Sequence, residues 1–197
     1  MKEWVFLLVA ALAAASCSNT TSVSAPTQTA TNSVPISKSV IFDAISEGNK
    51  MSSFAEFRKN GTAFYHKTGG AGGGRGFNIA VIDLNTGEQV GQVQNFDTWG
   101  SVSPSLVTAY LDSIPNKSLI LIAVGDEAGI NHWDTCDFYS GSSLNLIDSL
   151  RALGSTMISN YCYGYSWSMI AIKGGDKKDE QLLTIGDAKS TFSLQLP

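Results

Sequence analysis

Hydrophobic residues follow three successive patterns along this chain. A short, continuous apolar run occupies residues 4–15, and residues 18–37 are almost entirely Ser, Thr, Asn, Ala, Pro and Val. From about residue 38, apolar and polar positions vary with the periods of strands and helices. The pattern therefore predicts one globular domain over residues 38–197, preceded by a leader and a linker.

Within the domain, strand-like segments outnumber helical ones. Asn60-Gly61 predicts a tight hairpin, because both residues tolerate a positive φ. Eight segments have the alternation or the short apolar run of a strand: 40–45, 54–59, 62–67, 77–84, 89–96, 119–124, 167–173 and 182–196. Lys177 to Glu180 predict a solvated turn before the last of them. Because early hairpins mix with later helices, the prediction is an α+β fold.

Two segments have helical spacing, 104–114 and 144–153. Ser103 suits the N-cap of the first, Pro104 its first position, and Gly154 the end of the second. The apolar residues of the first helix predict one buried face: Leu106, Tyr110, Leu111 and Ile114.

Composition narrows the function classes. Apolar residues make up 43% of the 197 residues and charged residues 15%, which is typical of a globular protein. The net charge is −4, and no basic stripe is present, so nucleic-acid binding is excluded as the expected role. After residue 15 no apolar run is long enough to span a bilayer.

The first 16 residues predict an export signal, since Lys2 precedes a short apolar run with small residues at its end. A general signal peptidase could cut after residues 13–15. Alternatively, residues 14–17 (AASC) form a lipobox, although its first position usually holds Leu. We favour the lipobox, which makes Cys17 the lipidated end of an outer-membrane or cell-surface lipoprotein; plain secretion is the alternative. Residues 17–37 are then a disordered Ser/Thr-rich tether, and the membrane is contacted only through lipid.

Cysteine usage agrees with export. Once Cys17 is lipidated or removed, Cys136 and Cys162 remain, and they predict one disulfide in an oxidising compartment. That bond would close a loop of about 25 residues, which the chain-entropy argument values at roughly 3 kcal/mol.

Catalytic and metal motifs are weak in this sequence. The glycine run 69–76 lacks the Lys-Ser or Lys-Thr of a phosphate loop and precedes a strand, but it could present Arg75 to a ligand. Asp126 and Glu127 adjoin on a strand and so point to opposite faces, which argues against a catalytic pair. His132 and Cys136 are too few for a metal site. We expect no enzyme activity, no metal and no cofactor, and consider Asp126 a ligand contact.

Aromatic residues near segment ends offer sugar-stacking surfaces, although core packing explains Trp167 equally well. They are Trp99, Trp133, Tyr165 and Trp167.

Several motifs together resemble the interleukin-like EMT inducer (ILEI/PANDER) domain family. They keep the family's order and spacing over residues 40–175: GRGFNIAVID at 74–83, TG at 86–87, FDTW at 96–99, the segment 111–115, LILIAVGDE at 119–127, LRALGS at 150–155 and the segment 166–173. The resemblance implies two mainly antiparallel sheets packed as a sandwich and flanked by helices. It also implies a cytokine-like or lectin-like role, as in the stem domain that binds β-linked N-acetylglucosamine.

Site residues also follow from the resemblance. Sugar-binding members use an Arg that matches Arg75 and an Asp that matches Asp126. They use a second Arg where this chain has Gly164, followed by an Asp where it has Tyr165. Either the sugar site is lost, or Tyr165 stacks on the sugar in its place; an insertion at 129–143 is expected to border the same end of the sheet. The expected ligand is a glycan that contains N-acetylglucosamine, with Arg75, Asp126, Tyr165 and Trp99 as contacts. The alternative is a non-catalytic domain that binds a surface protein, such as an adhesin.

Overall fold

The computed structural model describes residues 37–50, 52–100 and 102–197; the predicted signal, Cys17 and nearly all of the tether lie outside them. Nine strands and two helices are described, in this chain order: β1 Ser39–Glu47, β2 Phe54–Lys59, β3 Thr62–Thr68, β4 Gly76–Asp83, β5 Gln94–Phe96, α1 Pro104–Ser113, β6 Ser118–Gly125, α2 Ser142–Ala152, β7 Ser166–Ile172, β8 Lys177–Leu183 and β9 Ala188–Gln195. Short 3₁₀ turns occupy Gly70–Gly72 and Ile158–Asn160.

The strands form two antiparallel sheets. The first has the order β3-β2-β1-β9 and the second β5-β4-β6-β7-β8. The sheets pack face to face, and the two helices cover the second sheet. The predicted α+β sandwich is therefore confirmed.

Two apolar layers hold this architecture together. Between the sheets, alternate residues of β1 such as Phe42 and Ala44 meet Leu119 and Leu121 of β6. Beneath the helices, Ile120 and Ile122 of β6 point the other way. Since both faces of β6 are buried, its sequence is the continuous apolar run that predicts a central strand.

Helix α1 begins at Pro104, as the sequence predicts, whereas α2 begins at Ser142, two residues before its predicted start. Ser103 Oγ accepts the backbone N–H of Ser105, which caps α1. The predicted buried face of α1 is partly wrong: Val107, Leu111 and Ile114 are buried, whereas Leu106 is 55% exposed. Their i, i+4, i+7 spacing forms the stripe that faces the sheet, and Leu106 lies beside it.

Two strand predictions need correction. The strand expected over 89–96 is reduced to β5, because Gly91, at φ +69°, interrupts the extended chain after an isolated bridge from Gln89 to Ile82. The single strand expected over 182–196 is interrupted, since it contains the end of β8 and the whole of β9, which lie in different sheets; the solvated turn expected at 177–180 is part of β8.

None of the helices in the described part of the chain is long and apolar enough to cross a membrane.

Candidate functional site

Four chain segments meet at one end of the sandwich. Gly76, at the start of β4, pairs with Gly125, at the end of β6. The backbone N–H of Gly48, just after β1, donates to Ser166 Oγ at the start of β7 (2.9 Å). Gly48 also pairs with Asp126 through a parallel bridge. The ends of β1 and β6 and the starts of β4 and β7 therefore share one pole of the domain.

The backbone around Arg75 is held by the buried side-chain amide of Asn78. Asn78 Nδ2 donates to the carbonyl oxygens of Gly74 (2.7 Å) and Gly76 (3.1 Å). Asn95 Nδ2 donates to the carbonyl oxygen of Arg75 (2.9 Å) and to Asn78 Oδ1 (3.0 Å). These bonds fix the backbone on both sides of Arg75, so its side chain leaves a rigid strand start.

The guanidinium of Arg75 forms a two-point ion pair with Asp97. Nε donates to Oδ1 (2.8 Å) and Nη2 to Oδ2 (2.7 Å), and both side chains are partly exposed. The hydrogen bond from Arg75 lowers the pKa of the Asp97 carboxyl. The pKa of Arg75 is raised first by its hydrogen bond to Asp97 and also by the charge of Asp126. Arg75 therefore stays charged, in the field of both carboxylates.

Asp126 follows β6 in the left-handed region, at φ +61°. Its N–H donates to the Glu47 carbonyl (3.2 Å), and its Oδ2 accepts the N–H of Gly70 (3.0 Å). A Cβ at Gly69 would lie 2.5 Å from the Asp126 Cβ, so the glycine loop needs glycine there to approach this closely. The glycine run thus packs against the Asp126 side chain.

Glu127 points the other way and is 2% exposed. Its Oε2 accepts the N–H of Gly164 (2.6 Å), and its Oε1 accepts the N–H of Gly129 (3.0 Å) and the hydroxyl of buried Tyr161 (3.4 Å). Burial raises the pKa of Glu127 despite these bonds, which act to lower it. Glu127 therefore anchors the loop before β7 to the end of β6.

Gly164 lies where the family resemblance expects an Arg, and its surroundings exclude a side chain. Its φ is +73°, and an added Cβ would lie 2.2 Å from Asn49 Oδ1 and 3.4 Å from Lys50 Cε. The position is thus occupied by residues of the turn after β1. Glycine fits both this packing and the positive φ at 164.

Tyr165 is partly buried, and its ring packs against the core beneath the helices. Lys50 Nζ lies over the same ring, 4.6 Å from its centroid.

Trp99 is the more open aromatic of the site, 41% exposed. Its ring contacts that of Tyr163, with centroids 5.5 Å apart and planes at 55°. Thr98 Oγ1 donates to the Ala128 carbonyl, which fixes the residue before Trp99. Trp99 and Tyr163 form an aromatic pair beside Arg75, since a Cβ at Gly100 would lie 2.7 Å from Arg75 Nη2.

The insertion at 129–143 borders this pole, and its disulfide is confirmed. Cys136 and Cys162 are bonded, with Cα atoms 4.5 Å apart. His132 N–H donates to the Asp137 carbonyl (2.8 Å), which closes a small hairpin. Trp133 lies near its tip and is 69% exposed.

The structure thus brings Arg75, Asp126, Tyr165 and Trp99 to the same pole; their role as ligand contacts remains a prediction. Sequence reasoning missed Asp97, Lys50 and the anchoring roles of Glu127 and Tyr161. Asp97 lies within the FDTW motif, which was the one available signal for it. Among the described residues, no group of three or more His, Cys, Asp or Glu side chains is placed to hold a metal ion.

Part of the chain is similar to a known protein family. A family model described as "Interleukin-like EMT inducer" matches residues 75–175. It includes Arg75, Asp97, Asp126 and the loop that carries Gly164. No curated protein matches the chain.

Proposed function

Since the chain belongs to the interleukin-like EMT inducer family, we propose that its domain binds carbohydrate without catalysis. The family is one of non-catalytic secreted domains and is not known as an enzyme family. The proposed ligand is a glycan that contains N-acetylglucosamine, bound at the pole formed by Arg75, Asp97, Trp99 and Asp126.

One observation carries the proposal: an arginine fixed by a carboxylate lies at the same pole as an open aromatic ring. Asp97 engages Nε and Nη2 of Arg75, so Nη1 keeps its two N–H donors for sugar hydroxyl or acetamido oxygens. Asp126 uses Oδ2 for Gly70 and keeps Oδ1 for a hydroxyl donor. Trp99 offers an apolar face to the C–H surface of a sugar ring.

The other carboxylates described at this pole are engaged by protein groups, which supports a binding role; Asp97, for example, forms the two-point pair with Arg75. Glycoside hydrolysis needs two carboxyl groups that flank the bond, roughly 5–10 Å apart. Glu127 is next to Asp126 in sequence, but its oxygens are engaged by Gly164 and Gly129 inside the domain. We infer that Asp126 is the carboxylate of this pole that contacts the ligand.

The test is a glycan array probed with the purified protein, its Arg75→Ala and Arg75→Lys variants, and Arg151→Ala as control. Arg151 lies at the end of α2 in a surface pair with Asp148 and is not part of the pole. We expect Arg75→Ala to lose binding, Arg75→Lys to weaken it because an ammonium lacks the fork, and Arg151→Ala to bind normally. Unchanged binding by Arg75→Ala, with its melting temperature preserved, would exclude this site.

A second candidate function is binding to a surface protein, which Trp133 favours. An indole that is 69% exposed, on a hairpin held by a disulfide, is typical of an interaction surface. An array without hits from folded protein would support this alternative. Loss of partner binding in Trp133→Ala, but not in Arg75→Ala, would establish it.

We propose that the domain is exported and anchored through lipid on Cys17, as an outer-membrane or cell-surface lipoprotein. The support is the short apolar leader and the AASC sequence at 14–17. Intact-mass measurement on the membrane fraction should show a lipid adduct that Cys17→Ser lacks. A mature chain without the adduct, found in the medium, would indicate plain secretion.

A further inference from the structure

We propose that Lys50 is a ligand contact and that the site takes an acidic sugar, one whose carboxylate pairs with the Lys50 ammonium. This inference rests on the proposed carbohydrate site and names the class of its ligand. It depends on how the turn after β1 covers Gly164, and on which charges at the pole remain unpaired.

The position of Lys50 is determined by two neighbours. Its Cε lies 3.4 Å from the Cβ that residue 164 would carry, so its stem covers the bare backbone of Gly164. Its Nζ lies 4.6 Å from the centroid of the Tyr165 ring, which favours a cation there. Lys50 itself is exposed. The ammonium is therefore oriented by the protein and open to solvent at the same time.

Arg75 and Lys50 differ in whether a carboxylate of the described residues pairs with them. Asp97 engages Arg75 through two hydrogen bonds, so the charge of Arg75 is already paired within the protein. Among the residues that the structure describes, no carboxylate oxygen lies within 4.0 Å of Lys50 Nζ. Lys50 is thus a cation that an anionic ligand group can pair with directly.

Asp126 supplies the negative charge of the site, opposite in sign to Lys50. It bridges to Gly48, two residues before Lys50, so the Cα atoms of Asp126 and Lys50 lie within roughly 12 Å of each other. A sugar carboxylate is repelled by Asp126 and attracted by Lys50, whereas a hydroxyl donates to Asp126. A sugar with one carboxylate and free hydroxyls is therefore bound in one orientation.

The experiment compares two disaccharides that differ by one carboxylate. N,N′-diacetylchitobiose is neutral; N-acetylglucosaminyl-N-acetylmuramic acid has the same two rings with a lactyl ether on one of them. Calorimetry at low salt gives both affinities for the protein, for Lys50→Met and for Lys50→Arg. Lys38→Met is the matched control, since it makes the same charge change just before β1, at the other end of that strand. A third sugar, glucuronyl-N-acetylglucosamine, distinguishes a ring carboxylate from a lactyl carboxylate.

We expect at least one of the acidic disaccharides to bind about tenfold more tightly than the neutral one. Lys50→Met should remove that preference and leave the neutral affinity within about twofold, whereas Lys50→Arg and Lys38→Met should retain the preference. Equal binding of all three sugars, or a preference that survives Lys50→Met, would overturn the inference and leave the carbohydrate site standing. Binding of none of them by folded protein would count against both proposals.

Discussion

Replacing Glu127 with alanine is expected to lower the free energy of unfolding by about 3 kcal/mol. The variant leaves the N–H of Gly164 and the hydroxyl of Tyr161 without an acceptor inside the domain. Each buried polar group left unpaired costs about 1–3 kcal/mol, and the missing side chain adds a cavity. Alanine also removes a buried charge whose desolvation already destabilises the native state, so the net change lies in the middle of this range.

A thermal melt followed by tryptophan fluorescence measures the change. For a domain of this size, about 3 kcal/mol corresponds to a fall of roughly 6–12 °C in the melting temperature. Glu88→Ala is the matched control: it removes the same charge from a side chain that is 73% exposed, in a surface pair with Lys59. A fall in Glu127→Ala no larger than in Glu88→Ala would refute the reasoning.

The pH dependence of this difference gives an independent check. Because burial raises the pKa of Glu127 above 4.5, the folded state binds the proton more tightly than the unfolded state. The stability that protonated Glu127 contributes is complete below about pH 4.5 and is lost as the pH rises through the raised pKa. The stability gap between wild type and Glu127→Ala should therefore narrow as the pH rises.

Two further predictions concern stability. Burial alone would raise the pKa of Glu180, but hydrogen bonds from Ser155, Thr156, Lys177 and Trp167 hold it below 4.5. The advantage of wild type over Glu180→Gln should therefore be present above about pH 4.5 and be lost as the pH falls through the lowered pKa; urea unfolding at pH 7 and pH 3 measures it. Replacing both Cys136 and Cys162 with Ser should cost about 3 kcal/mol, measured by urea unfolding, and weaken glycan binding because the loop with Tyr163 loses its staple.

Each of these has its own control. The control for Glu180 is Glu88→Gln, which alters an exposed surface pair, and an equal effect of pH in both Gln variants would contradict the role of Glu180. A reducing agent should destabilise wild type about as much as the double Ser replacement does and leave that variant unchanged. Reduction without effect on wild type would contradict the stabilising role of the disulfide.

The sequence predicts the strands whose side chains alternate and the turns whose backbone is unusual. Asn60 and Gly61 both have positive φ, +51° and +79°, as their hairpin requires. Prediction from the sequence fails for β8, because the inward-facing residue there is Glu180. Its burial depends on hydrogen bonds from Trp167 and Ser155, which lie in other segments of the chain. A charged residue at a buried position removes the alternation by which a strand is recognised.

The candidate site likewise contains residues that the sequence predicts and residues that it does not. Arg75 and Asp126 are predictable because each lies in a local motif beside a strand end. Asp97 and Lys50 are not predictable, since the residue that each contacts lies more than 20 positions away in the sequence. Only the fold brings each pair together. That Glu127 points away from Asp126 follows from strand alternation, but its partner Gly164 does not.

Both ends of the described chain lie at the pole opposite the site. The N–H of Leu196 donates to the carbonyl of Lys38 (2.9 Å), and β1 runs from there to Gly48 over nine residues, about 30 Å. A domain fixed to a surface through either terminus would turn the pole of the proposed site outward. Immobilising the protein by a terminal tag, on a chip or on a cell, therefore leaves Arg75 and Trp99 facing the solution.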